Sequence, residues 1–97
     1  MDISTEGFAI DSLEAGTALT IQTANSEYRF VVVDATDGRV VVAGGAFPHA
    51  VSAVLQGSSA GGSLLKTRWV GVGLRMKLLV DGTRFVTSRV RSISRVH

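Results

Sequence analysis

Two Asp-Gly pairs, each set between runs rich in β-branched residues, constrain this chain more than any other feature. Before Asp37-Gly38, Tyr28, Phe30 and Val32 alternate with Arg29, Val31 and Val33; Arg39-Val40-Val41-Val42 follows. Before Asp81-Gly82, Leu74, Met76, Leu78 and Val80 alternate with Arg75 and Lys77; Thr83-Arg84-Phe85-Val86 follows. Strict alternation places every second side chain on one face of a strand. Asp-Gly supplies the positive φ that both central residues of a type I′ turn require. The chain is therefore expected to contain two β-hairpins.

The rest of the sequence adds weaker strands. Ala18-Leu19-Thr20-Ile21-Gln22-Thr23 has strand composition behind a turn at Gly16, and Phe8-Ala9-Ile10 suits a short edge strand. Val90, Ile93 and Val96 recur every three residues, which breaks period-2 alternation and predicts a bulge or 3₁₀ turn near Ser92. Residues 48–57 fit either a short helix starting at Pro48 or a strand with Ala53 and Leu55 on one face. The β-rich surroundings favour the strand. Gly57-Ser58-Ser59-Ala60-Gly61-Gly62-Ser63 reads as a mobile surface loop, and Gly71 and Gly73 mark a bend where strands curl.

In 97 residues with no repeat, these elements make a single domain, 1–97. The expected class is all-β: a small closed or partly open antiparallel barrel, SH3-like or OB-like, with five to seven short strands. Closure would remove exposed sheet edges.

Composition restricts chemistry more than it suggests it. The chain has no cysteine, so disulfides, thiolate metal sites and cysteine nucleophiles are excluded together. That absence, an acidic start at Met1-Asp2-Ile3-Ser4-Thr5-Glu6 and the lack of a long apolar run favour a cytoplasmic protein without a membrane partner. His49 and His97 are the only histidines, too few for a histidine-based metal centre, and no nucleophile-elbow pattern accompanies the serines. Gly57 and Gly62 have the spacing of a phosphate-binding loop, but Ser63 stands where that loop needs lysine. We expect no catalytic residues, no metal and no cofactor.

The charge is unevenly distributed. Residues 1–37 carry seven acids and one base, whereas residues 38–97 carry nine bases and one acid, Asp81. In a barrel the two halves can interleave and neutralise one another across strands. Alternatively the basic half, with Lys66, Arg68, Arg75, Lys77, Arg84, Arg89, Arg91 and Arg95, forms a surface for nucleic acid.

Two resemblances bear on this choice. Asp2-Ile3-Ser4-Thr5-Glu6-Gly7 has the D-x-S-x-x-G spacing of PilZ domains, and Arg91 and Arg95 have the R-x-x-x-R spacing of the same signature. The likeness implies cyclic-dinucleotide sensing through Asp2, Ser4, Arg91 and Arg95. In that family the arginine pair precedes the D-x-S-x-x-G element, and here it follows. Three further stretches, Thr23-Ala24-Asn25-Ser26-Glu27-Tyr28, Gly44-Gly45-Ala46-Phe47-Pro48 and Thr87-Ser88-Arg89-Val90-Arg91-Ser92-Ile93, resemble recurring features of a small bacterial β-barrel family with no characterised function. That resemblance spans residues 13–96 and implies a fold but no chemistry.

The expected function is a non-enzymatic binding or interaction module for an unidentified protein or small-molecule ligand. Its contacts would come from Asn25, Ser26, Phe47, Arg89, Arg91 and Arg95, with the loop around Ser59 beside them. Nucleic-acid binding through the basic half and cyclic-dinucleotide sensing are the alternatives, and a homo-oligomer, with Trp69, Val70 and Val72 as an exposed patch, is also compatible.

Overall fold

The computed structural model describes residues 7–61 and 65–96. Both hairpins form. Strand β3 (Glu27–Asp34) returns as β4 (Arg39–Gly44), and β8 (Arg75–Val80) returns as β9 (Thr83–Val96). Their turns differ. Val80 pairs with Thr83 across a two-residue loop whose residues Asp81 and Gly82 have φ of 49° and 76°, as a type I′ turn demands. At the first hairpin only Gly38 has positive φ, so the expected type I′ turn is absent there. Instead the Asp34 carboxylate accepts hydrogen bonds from the amides of Thr36 and Asp37, and the Gly38 amide donates to the Ala35 carbonyl. Asp34 stabilises a four-residue loop that the Asp-Gly pair alone does not specify.

Strand β2 (Ala18–Thr23) pairs with β3 on one side and β9 on the other. Strand β5 (Phe47–Ser59) pairs with β4 through its first half and with β8 through its second. The order β4-β3-β2-β9-β8-β5 therefore returns to β4, and six antiparallel strands form a closed ring of hydrogen bonds. Strand β6 (Lys66–Thr67) adds a short seventh strand beside the end of β5. A separate two-stranded ladder joins β1 (Gly7–Ala9) to β7 (Trp69–Gly71). A 3₁₀ turn, Ile10–Ser12, follows β1. Among the described residues no helix is long and apolar enough to cross a membrane.

Alternation explains the interior. Tyr28, Phe30 and Val32 of β3 are buried while their neighbours are exposed or half-buried. Leu19 and Ile21, Val40 and Val42, Ala53 and Leu55, and Met76 and Leu78 do the same from the other ring strands. Residues 48–57 thus form a strand with Ala53 and Leu55 inward. Ile10, Leu13 and Val70 join the same core from outside the ring.

Two further expectations fail. Gly57, Ser58 and Ser59 are not a surface loop: they are buried in β5, and the Ser58 hydroxyl donates to the Trp69 carbonyl. Glycine suits position 57 because its φ is +150° and a Cβ there would meet the Lys66 carbonyl of β6. Val70 is fully buried and Val72 and Trp69 are half-buried, so these three make no exposed apolar patch.

Candidate functional site

Strand β9 changes partners partway along its length, and a bulge accompanies each side of the change. Arg75 pairs with Arg89 and Lys77 with Val86, so Thr87 and Ser88 together face Met76. Gln22 pairs with Ser92 and Thr23 with Val90, so Arg91 is an extra residue. The bulge at Arg91 is the irregularity expected near Ser92. It lets Val90 and Ile93, three residues apart, both face the core. Bulges re-aim side chains and recur beside binding sites.

The segment between the bulges is held from both sides. On one side the Ala24 amide donates to the Arg89 carbonyl at 2.9 Å. On the other, the Gly73 amide donates to the Val90 carbonyl, and the Val90 amide donates to the Leu74 carbonyl, both at 2.8 Å.

Hydroxyls complete the arrangement, each using its one proton once. Thr23 Oγ1 donates to the Ser26 carbonyl at 3.0 Å. It accepts from the Ser26 amide at 3.1 Å and from Ser88 Oγ at 2.8 Å. Ser88 Oγ in turn accepts from the Asn25 amide at 3.2 Å. Thr87 Oγ1 donates to the Ser88 carbonyl at 2.7 Å and accepts from the Met76 amide at 3.0 Å. The Met76 amide, facing a bulge, has a side-chain oxygen in place of a ladder carbonyl. Thr87→Val keeps the side-chain shape and removes that acceptor. We expect it to lower stability by about 1–2 kcal/mol, the cost of an unsatisfied buried donor. A urea-denaturation midpoint measures this directly; an unchanged midpoint would mean water reaches the Met76 amide.

These elements surround an open pocket of about 590 Å³. Ala24, Val72 and Val90 give it apolar walls, while Asn25, Arg75, Arg89 and Arg91 supply polar groups. Arg75 and Arg89 are direct cross-strand partners and therefore share a face. The Arg89 guanidinium donates to the Gly73 carbonyl at 2.9 Å and to the Ala60 carbonyl at 3.0 Å, which fixes its position. Among the described residues the one ion pair is Arg39–Asp37, at 4.0 Å and exposed, so none of the three pocket arginines has a carboxylate partner there. Among the described residues that pair is the one charge contact between the acidic and basic halves, which otherwise interleave in the ring without ion pairs. No histidine and no acid is among the residues that line the pocket.

Of the six residues expected to bind, the fold brings Asn25, Arg89 and Arg91 together. Ser26 lies beside them, with its backbone engaged in the turn. Phe47 belongs elsewhere: it is half-buried against Phe85 at 4.9 Å and Tyr28 at 6.3 Å between ring centroids. Arg95 stands over the Phe8 ring at 5.8 Å, away from the pocket-lining set. Phe8 follows directly on the D-x-S-x-x-G element, but Asp2 and Ser4 lie outside the described residues. Ala24, Val72, Gly73, Arg75, Ser88 and Val90 complete the lining and were not among the six. Arg75 faces Arg89 only because of a bulge, whose position the sequence pattern does not disclose.

No protein-family model, curated protein or solved structure matches the chain.

Proposed function

We propose that this chain is a non-enzymatic binding module whose ligand is anionic and occupies the pocket between the 23–26 turn, the 71–75 turn and β9. The observation that carries this reading is the gathering of three arginines, from two strands, in the lining of one apolar-walled pocket without a carboxylate among its lining residues. Guanidinium groups bind carboxylates and phosphates through paired N–H donors. Like charges facing one another across a sheet are unfavourable, and a bound anion relieves that repulsion. The volume falls in the range of small-ligand sites, about 300–1,000 Å³.

The test is an amide-resolved NMR titration at low salt with phenyl phosphate, a glutamate-rich peptide and a single-stranded RNA oligomer. At least one should move the amides of Ala24, Asn25, Gly73 and residues 88–91 saturably, with an effect that weakens as salt rises. The reading fails if none does, or if the shifts scatter over the rest of the ring.

A further inference from the structure

Resting on that reading, we infer that the pocket takes a phosphomonoester of a small organic molecule, its phosphate among Arg75, Arg89 and Arg91 and its apolar body against Ala24 and Val72. Charge density selects the class of anion. Arg75 and Arg89 are direct register partners, which places their Cβ atoms about 4.5–5.5 Å apart. Arg91 is two residues further along β9, at the bulge, and lines the same pocket. Three positive charges in so small an area are poorly matched by one carboxylate, which brings a single charge and two oxygens. A phosphomonoester carries about −1.5 to −2 and three terminal oxygens, enough for each guanidinium to receive one.

The geometry is already set before a ligand arrives. Arg89 has five N–H donors, and its bonds to the Gly73 and Ala60 carbonyls leave others free while fixing the plane of the group. A donor held in place loses less entropy on binding than a freely rotating one. The side chains of Arg75 and Arg91 make no hydrogen bond to the described residues and are exposed, so they remain available to close over the anion.

The apolar walls separate an organic phosphate from a bare one, because inorganic phosphate has nothing to place against Ala24 and Val72. They also separate it from a nucleic-acid strand. Sequence-tolerant binding of single strands relies on aromatic faces that stack bases, and no aromatic residue lines this pocket. Phe47 packs against Tyr28 and Phe85, Phe8 lies under Arg95, and Trp69 lies under Lys66 at 3.9 Å.

The decisive experiment titrates phenyl phosphate, benzoate and inorganic phosphate against the amides of Ala24, Asn25, Gly73 and residues 88–91. Phenyl phosphate should bind at least about tenfold more tightly than either of the others. Benzoate keeps the ring but offers a carboxylate, and inorganic phosphate keeps the charge but has no ring. The double variant Arg75→Gln, Arg91→Gln should keep its urea midpoint and lose at least about tenfold in phenyl phosphate affinity. Arg89→Lys keeps the charge and removes the fork; it should weaken phenyl phosphate binding while still showing shifts at the same amides. Benzoate binding as tightly as phenyl phosphate, or a double variant that binds like the parent, overturns the assignment. So does an RNA oligomer that moves these amides at lower concentration than phenyl phosphate. If the peptide or RNA is bound and phenyl phosphate is not, the binding-module reading stands and the phosphomonoester falls; silence towards all probes ends both.

Discussion

Phe30→Ala should lower the unfolding free energy by about 3–5 kcal/mol, the usual cost of removing a buried phenyl ring and leaving a cavity. Phe30 has 0% exposure and leads the fully buried side chains by volume. It sits on β3, with Leu19 of β2 and Val42 of β4 as its direct register partners. The ring interior is lined from all sides, so no single strand can move in to fill the space without disturbing its other neighbour. Against a total stability of about 5–15 kcal/mol for a domain of this kind, the loss removes a large fraction of the margin. Urea denaturation checks it, with Val31→Ala as the control. Val31 is the next residue on the same strand, points outward and is 37% exposed, so its truncation should stay within about 0.5 kcal/mol. A loss below about 1 kcal/mol for Phe30→Ala would mean that the ring collapses onto the cavity.

Gly57→Ala should cost about 3–4 kcal/mol, although it adds only one methyl group. Gly57 has φ of +150°, where a side chain is strained, and its Cβ would meet the Lys66 carbonyl of β6 well inside contact distance. Strand β5 also shifts register against β8 between Leu55 and Gly57, so the backbone here is held on both edges. The comparison that isolates the contact is Gly16→Ala. Gly16 also has positive φ, +91°, but open space where its Cβ would lie, so it registers strain alone. A Gly57→Ala loss no greater than that of Gly16→Ala, read from paired urea midpoints, would mean that β6 yields without cost.

Alternation made most of the ring legible, since the inward sets of β2, β3 and β8 follow directly from residues i, i+2 and i+4. Asp81-Gly82 was legible down to its turn type. Asp37-Gly38 was not, because the outcome there depends on Asp34, three residues upstream, whose carboxylate captures the amides of Thr36 and Asp37. Composition misled at Gly57, Ser58 and Ser59. Small polar residues suggest a solvated loop, but here Gly57 admits the close approach of β6 and the Ser58 and Ser59 hydroxyls are bonded to the Trp69 and Gly61 carbonyls, none of which the sequence discloses.

The candidate site was half legible. Asn25, Arg89 and Arg91 fall in polar clusters that the sequence displays, whereas the partnership of Arg75 with Arg89 depends on two residues facing one. Phe47 falls in a turn sequence of the kind that makes contacts but is drawn against Phe85 and Tyr28, since an aromatic ring at the β4–β5 turn gains more from packing than from water.

The seam between β2 and β9 joins Ala18 to Val96. During synthesis every hairpin up to β8 can form while the ring cannot. Until β9, 14 residues long, has left the ribosome, β2 and β8 each present an unpaired row of amides and carbonyls, the kind of edge that recruits strands from other chains. The pocket draws on residues 24–25, 72–75 and 88–91, so it comes into existence only when that last strand docks. The ring and the pocket are therefore both complete only when β9 has paired with β8 through its first half and with β2 through its second.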